Sequence, residues 1–312
     1  MIPTDCRRAV CPVLRAACAG LALVVGWTIV AGVAAGADFR VTNRVYAGSD
    51  QKPQSQGTTI FYGGRVYDFL DEPAEVIVLD KAAGRFTLLD DQHRVRAELT
   101  PGEVAAFVAR IKQRAAAHQD PLVRFLATPS FAEEFSSDPA RNNLGTSEGD
   151  SPIFVGRKSG QSPGGFPADP KDLGQLTLRG QWMTYRVRLS AADAEVARQY
   201  REFSDWQVRL NVVLFAGARP PFARLMLNEA IARRQAIPRE VWLSTEPGGP
   251  AKATASASQQ GGGLAKATIM HSEHELLLPP GAADVERVAA VRESMRTFQA
   301  VAFEQYRRGV RR

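Results

Sequence analysis

Short apolar runs recur along residues 39–99, separated by Gly, Pro and Asp residues. The runs lie at residues 39–47, 58–62, 65–70, 75–80, 85–90 and 94–99. Strands of this length with turn residues between them are typical of an antiparallel meander, in which each strand pairs with the next. The pattern therefore predicts six consecutive strands at the start of the folded chain.

Two of these predicted strands carry apolar side chains on both faces, because successive side chains of a strand point to opposite sides. In the third strand, Tyr67 and Phe69 point away from the face that carries Asp68. In the fourth strand, Ile77 and Leu79 lie opposite two valines. A sheet with two apolar faces must be covered on both sides, or one face must line a cavity.

Helical patterns follow the meander. Thr100, Pro101 and Glu103 form a capping box with proline at the first helical position, which predicts a helix from residue 101. A shorter apolar segment at 121–135 predicts further cover for the sheet. The later pattern predicts a strand at 176–189, a helix from residue 190, a helix at 222–234, strands at 239–244 and 264–278, and one long helix at 284–309.

This element order predicts an α+β fold: a curved antiparallel sheet or unclosed β-barrel with helices covering the concave face. Residues 136–175 are rich in Ser, Gly, Pro, Asn and Asp, which predicts a disordered insertion. Residues 246–263 have the composition of a flexible hairpin loop. Because no separate second domain is indicated, residues 38–312 are expected to form a single exported domain.

The first residues have the pattern of a secretory signal. Three arginines precede an uncharged run at 16–37, which ends in Ala35, Gly36 and Ala37. Small residues at this spacing favour a cleaved signal peptide over residues 1–37. The alternative is an uncleaved inner-membrane anchor, since the run is long enough to cross a bilayer. Both interpretations export the remaining chain to the periplasm or cell envelope.

Composition narrows the candidate functions. The 312-residue chain is 45% hydrophobic, which is enough for a sizeable core. Its cysteines, Cys6, Cys11 and Cys18, all lie in the N-terminal segment, so the exported part has no disulfide or thiol nucleophile. The net charge of +6 is spread along the chain, and the basic residues 307–312 are consistent with contact to an anionic membrane surface. Export argues against a nucleic-acid partner.

No motif indicates catalysis, a metal or a cofactor. Residues 160–164 match the nucleophile elbow G-x-S-x-G, but Pro163 has no N–H to donate to an oxyanion. On the predicted last strand, His271 and His274 point to opposite faces and cannot converge on one metal ion. Asp80 and Asp90 could meet across neighbouring strands as an acid–base pair, which leaves an envelope hydrolase as a minor hypothesis. We therefore predict a non-enzymatic protein without cofactor or metal.

The signal-peptide pattern, the runs "FRVTNRVY", "TTIFYGGRVYDFL", "EVIVLD" and "RFTLLDDQHRVRAEL", and the later strand ending "HELLLPP" together resemble the lipoprotein-carrier superfamily. That group includes the LolA and LolB proteins and related exported domains of unknown function. The resemblance is strongest over residues 39–99 and implies an unclosed antiparallel barrel with a helical lid. It also implies an acyl-binding cavity between the sheet and the helices.

These observations predict binding of a hydrophobic or amphipathic ligand, such as a lipid or lipidated protein, between the sheet and the helices. Aromatic and aliphatic positions of the doubly apolar strands and of the later strand are the candidate ligand contacts. They are Tyr67, Phe69, Ile77, Leu79, Trp182 and Tyr185. The alternative is a structural or interaction protein of the envelope whose core is filled by its own helices.

Overall fold

Residues 39–99 form six antiparallel strands joined by turns, as the alternation of apolar positions predicts. In the computed structural model of the chain, the described residues are 36–48, 50–71, 74–137, 172–215, 217–245 and 268–309. The six strands are β1 (Phe39–Ala47), β2 (Ser55–Tyr62), β3 (Arg65–Leu70), β4 (Glu75–Asp80), β5 (Arg85–Asp90) and β6 (Val95–Leu99). Gly63 and Gly64 both have positive φ and make the two-residue turn between β2 and β3.

Helices and further strands follow the meander. They are α1 (Pro101–Ala116), α2 (Pro121–Ala127), β7 (Ala132–Ser136), β8 (Asp172–Arg179), β9 (Met183–Ala191), α3 (Ala194–Leu214), α4 (Phe222–Ala232), β10 (Ala236–Thr245), β11 (Thr268–Leu277), α5 (Ala282–Thr297), β12 (Gln299–Ala300) and α6 (Phe303–Gly309). The predicted capping box of α1 is confirmed, since Glu103 N donates to Thr100 Oγ1 and Thr100 N donates to Glu103 Oε2.

The strands of the described residues form one sheet. Their order is β12-β6-β5-β4-β3-β2-β1-β11-β10-β9-β8-β7. All neighbouring pairs are antiparallel except β12 with β6. The edge strands β7 and β12 do not pair with each other, so the curved sheet stays unclosed and the predicted α+β class is confirmed.

The inner face of the sheet, which we define as the face that carries Asp68, packs against α1, α2, α3, α4 and α6. One core cluster joins the inner side chains of β1–β6 to α1, α3 and Tyr306 of α6. A second joins β8, β9 and β10 to α2 and α4. The first cluster extends to the central strand β1, whose inner positions pair Val41 with Leu276 and Asn43 with His274 of β11.

The outer face of β2–β5 is covered by α5. Val288 and Val291 of α5 form a third cluster with outer side chains that include Ile60, Tyr67 and Val78. The expectation that a doubly apolar sheet needs cover on both faces is therefore confirmed for these strands.

The prediction of one strand at 176–189 is wrong, because that segment forms the hairpin of β8 and β9. The turn runs through Gly180, whose N–H donates to the Met183 carbonyl at 2.9 Å. A Cβ atom at Gly180 would lie 2.9 Å from the rings of Phe125 and Phe131, so only glycine fits beneath these aromatics. Trp182 lies in this turn rather than in a strand.

Three predictions on helices need correction. The segment 121–135 is helical only as α2, and its end forms edge strand β7. Helix α3 begins at Ala194 with Asp193 as its cap, while Ser190 belongs to β9. The long helix predicted at 284–309 breaks into α5, β12 and α6, because Gln299 N donates to the carbonyl of Arg94, just before β6, and Val301 N donates to the carbonyl of Arg96 within β6.

Several sequence-based expectations lie wholly or mainly outside the described residues. They are the signal peptide or anchor, the cysteines, the G-x-S-x-G match, the insertion at 136–175 and the loop at 246–263. No helix in the described part of the chain has both the length and the apolarity to cross a membrane.

Candidate functional site

A cavity of about 400 Å³ lies between the inner face of the sheet and helices α3 and α4. Strands β1, β2, β3, β9, β10 and β11 form its floor, and α3, α4 and the loop between these helices form its roof. The volume falls in the range of small-molecule sites in proteins. A much smaller crevice of about 10 Å³ beside Tyr200 and Ile231 has room for no more than a water molecule.

Small side chains on β2 keep the cavity open. Ser55, Gly57 and Thr59 occupy successive inner positions, whereas the next inner position is Phe61, which fills the core against Phe39 and α3. A Cβ atom at Gly57 would lie 3.0 Å from the carbonyl oxygen of Phe69, so glycine permits a close backbone approach here. The cavity therefore begins where the aromatic filling of the inner face stops.

One wall of the cavity contains a buried carboxyl group. Asp68 on β3 is 2% exposed and lies opposite Thr59, whose hydroxyl donates to Asp68 Oδ1 at 2.6 Å. Gln207 of α3 donates from Nε2 to Asp68 Oδ2 at 3.0 Å. Burial raises the pKa of Asp68 to about 6, and the two hydrogen bonds only partly oppose this shift.

A histidine lies on the central strand of the floor. His274 of β11 has Tyr200 OH 3.2 Å from Nδ1 and Ser272 Oγ 3.2 Å from Nε2. Burial, and then the positive charge of Arg224, lower the pKa of His274 to about 3. Ser272 and His274 are spaced like a nucleophile and its base, but an imidazole with this pKa is a weak base at neutral pH. Their arrangement is better suited to hydrogen bonding.

The β9–β11 side of the cavity is mainly apolar. Its side chains come from α2, from the three strands and from α4, and include a half-buried leucine and two methionines. They are Leu126, Met183, Tyr185, Ala223, Val241, Leu243 and Met270. The cavity is thus amphipathic, with polar groups under α3 and hydrocarbon under α4.

The structure brings one of the six predicted ligand contacts, Tyr185, to the cavity wall. Ile77 and Leu79 lie in the part of the inner face that α1, α3 and Tyr306 already fill. Trp182 lies in the β8–β9 turn and is not among the side chains that line the cavity.

Tyr67 and Phe69 point to the outer face, beneath α5. Arg292 Nε donates to Tyr67 OH at 3.1 Å, and the Arg287 guanidinium lies 4.0 Å from the ring centre of Phe69. The pleat of β3 therefore directs these two aromatic side chains away from the cavity.

The sequence interpretation missed most of the polar lining. The one local signal was Asp68, a charged residue within an apolar strand. A second signal was available on α3, where Tyr200, Ser204, Gln207 and Asn211 recur at helical spacing beside an apolar stripe. His274 and Arg224 had no such signal, because their place at the cavity depends on tertiary packing.

The strand register shows where two other pairs of residues considered in the sequence lie, His271 with His274 and Asp80 with Asp90. His271 and His274 do lie on opposite faces, and His271 stacks with Tyr46 and Trp242 on the outer face. The hypothesis of an Asp80–Asp90 pair is wrong, since the cross-strand neighbours are Asp80 with Arg85 and Glu75 with Asp90.

Asp80 and Asp90 instead stabilise local structure. Asp80 pairs with Arg65 at 2.8 Å, and Asp90 Oδ2 lies 2.7 Å from Nδ1 of His93 in the following turn. No cluster of three or more metal-ligating side chains occurs among the described residues.

Comparison with known proteins adds no identification. No family model matches the sequence, and no curated protein matches it.

Proposed function

We propose that this protein binds a hydrophobic or amphipathic ligand in the cavity between the sheet and helices α3 and α4, without catalysing a reaction. The observation that supports the proposal most strongly is the cavity itself, about 400 Å³ of space between the sheet and helices α3 and α4. Burial of hydrocarbon contributes roughly 0.8 kcal/mol per CH₂, so an acyl chain could bind without a sequence motif.

The fold is consistent with the proposal. An unclosed antiparallel sheet with helices over one face, and a cavity between them, is the arrangement implied by the resemblance to lipoprotein carriers. A common architecture does not establish a common ligand, so the proposal depends on the cavity and its lining.

Titration with the uncharged fluorescent probe N-phenyl-1-naphthylamine tests the proposal on the full chain. Ala218→Trp, in the roof loop, is expected to weaken probe binding at least tenfold, which corresponds to about 1.4 kcal/mol of lost contact. Ala105→Trp on the exposed side of α1 makes the same chemical change away from the cavity and should leave binding unchanged.

Two outcomes would contradict the proposal. If the wild-type chain takes up no probe, and native mass spectrometry with lipid extraction finds no bound lipid, the envelope interaction protein without a ligand becomes the better hypothesis. If both tryptophan variants bind the probe like the wild type, the probe binds elsewhere.

We further propose that the protein acts in the periplasm or cell envelope after cleavage of residues 1–37. Asp38 would then be the first residue, and its Oδ1 accepts a hydrogen bond from Gly63 N at 2.9 Å. Intact-mass measurement after expression in a bacterial host tests this: a mass that starts at Asp38 supports cleavage, and retention of residues 1–37 supports the anchor.

A further inference from the structure

Two arginines of the cavity have no acidic partner. Arg219 in the roof loop and Arg224 on α4 both line the cavity, and neither forms an ion pair with any described residue. By contrast, Arg65 and Arg188 of the sheet pair with neighbouring carboxylates. Unpaired guanidinium groups beside a partly enclosed space are suited to an anionic ligand, because desolvation strengthens the attraction between opposite charges.

Arg224 is held in place by a partly buried chain of two hydrogen bonds. Its Nε donates to Asn228 Oδ1 at 3.1 Å, and Asn228 Nδ2 donates to Asp205 Oδ1 at 2.9 Å. Asn228 is only 5% exposed, so the side chain that orients Arg224 is itself fixed. Because Asn228 separates the guanidinium from Asp205, it orients Arg224 without neutralising it, and Arg224 makes no other hydrogen bond within the described residues.

The positive charge of Arg224 acts on the cavity interior. It contributes to the low pKa of His274, and it opposes the rise that burial causes in the pKa values of Tyr185 and Tyr200. Arg219 opposes the rise in the pKa of Tyr185 as well. Both guanidinium groups therefore act on Tyr185, and Arg224 also acts on Tyr200 and His274, while the carboxyl of Asp68 on the β3 side of the cavity acts on Tyr200 in the opposite sense.

Apolar side chains lie next to Arg219 and Arg224. The floor opposite α4 carries Met183, Leu243 and Met270, and the loop beside Arg219 adds Ala218 and Pro220. A ligand that uses both features must combine a negative group with an apolar chain.

We infer that the ligand is an anionic amphiphile, whose carboxylate or phosphate head group pairs with Arg219 and Arg224 while its hydrocarbon chain lies on the floor formed by β9, β10 and β11. This inference rests on the proposed function and specifies its ligand. Planar guanidinium groups suit both head groups, since each offers two oxygens to a bidentate donor. An uncharged amphiphile would leave both arginines unpaired.

Competition against N-phenyl-1-naphthylamine on the full chain tests the inference, with ligands kept below their micellar concentrations. Dodecanoate, dodecyl phosphate and dodecanol share one chain and differ only in the head group. Since hydrogen bonds to charged groups are stronger than those between neutral groups, we expect at least one anionic ligand to bind roughly tenfold or more tightly than dodecanol. The difference between the two anions identifies the preferred head group.

Variants that remove one positive charge test whether the preference for an anionic ligand depends on these two arginines. Arg224→Gln is expected to weaken binding of the anionic ligand roughly tenfold more than it weakens binding of dodecanol, because only the anionic head group pairs with the guanidinium. Arg219→Gln, at an exposed position that makes no hydrogen bond or ion pair with the described residues, should act in the same direction and provides a test if Arg224→Gln fails to fold. Arg114→Gln on the exposed surface of α1 removes the same charge away from the cavity and should change nothing.

The results separate this inference from the proposed function. If the probe binds but the three ligands compete equally, or if neither Arg219→Gln nor Arg224→Gln weakens the anionic ligand, the inference is wrong and cavity binding stands. If the wild-type chain binds neither the probe nor any of the three ligands, both the inference and the proposed function are wrong.

Discussion

Two titratable residues of the cavity, the buried Asp68 and the half-buried His274, respond to pH in opposite directions. Asp68 has a raised pKa of about 6, and His274 has a lowered pKa of about 3. In both, burial disfavours the charged form. The two residues therefore change the unfolding free energy with pH in opposite directions, and these changes partly cancel in the wild type. Substituting one residue at a time should reveal each change.

For Asp68, the folded state binds a proton more tightly than the unfolded state, whose carboxyl has its ordinary pKa of 3.8. Its stabilising contribution is complete below that value and is lost as pH rises through about 6. Relative to wild type, Asp68→Asn should gain about 2 kcal/mol in unfolding free energy between pH 4 and pH 7. Urea unfolding at a series of pH values measures this difference, and a difference independent of pH would show that Asp68 titrates normally.

For His274, the unfolded imidazole has its ordinary pKa of 6.5, whereas the folded imidazole stays neutral down to about pH 3. Between these pH values only the unfolded state binds the proton. The stabilising contribution of His274 is complete above 6.5 and is lost as pH falls through the folded pKa. His274→Gln should therefore gain about 3 kcal/mol relative to wild type between pH 7 and pH 4. The same urea series should show a slope opposite in sign to that of Asp68→Asn, and parallel profiles would contradict the burial of His274.

At the scale of elements, one buried hydrogen bond ties the short helix α6 to the sheet. Tyr306 OH donates to Glu75 Oε1 at 2.5 Å, and both side chains are buried. Burial raises the pKa of Glu75, while the Tyr306 hydroxyl favours its charged form. Glu75 also lies opposite Asp90, so a donor from α6 stabilises a crowded acidic position.

Tyr306→Phe should destabilise the protein by about 1–3 kcal/mol at neutral pH, because it leaves a buried carboxylate without its donor. Adding Glu75→Gln to this variant should restore part of the loss, since a neutral amide is easier to bury than a carboxylate. Tyr62→Phe removes a hydroxyl from a half-buried tyrosine whose ring makes a cation–π contact with Arg292, and serves as the matched control. Equal stability of the two phenylalanine variants in urea unfolding would show that α6 is not held by this bond.

At the scale of the whole molecule, the cavity separates the packed clusters on its two sides. One contains β1–β6 with α1, α3 and α6, and the other contains β8–β10 with α2 and α4. The cavity lining includes side chains of both halves, from Asp68 on β3 to Tyr185 on β9, so the ligand proposed above would contact both.

Ligand binding should therefore stabilise the folded chain. At a free concentration one hundred times its dissociation constant, a ligand specific for the folded state adds about 2.7 kcal/mol to the unfolding free energy. We expect N-phenyl-1-naphthylamine, or the anionic ligand that binds most tightly, to raise the thermal unfolding midpoint of the wild type. Calorimetry with Ala218→Trp at the same ligand concentration should show a smaller rise, and an equal rise in both would place the binding site elsewhere.

Local sequence patterns were enough to predict most of the strands, the capped start of α1 and the need to cover both faces of β3 and β4. These features are local, because alternation and capping depend on residues only a few positions apart. The same local patterns did not predict the β8–β9 hairpin or the break after α5, where close packing at Gly180 and backbone pairing next to β6 override a continuous apolar pattern.

The position of the cavity and the residues that line it depend on tertiary packing. Asp68 meets Gln207 from 139 positions away, and His274 meets Tyr200 across 74. Strand register determines which side of β3 faces α3, so Asp68 lines the cavity while the predicted contacts Tyr67 and Phe69 lie under α5. Contacts between distant segments produce no periodic pattern in the sequence. The sequence therefore predicts a fold that can form a cavity, but the cavity itself is created by the packing of α3 and α4 over β1 and β11.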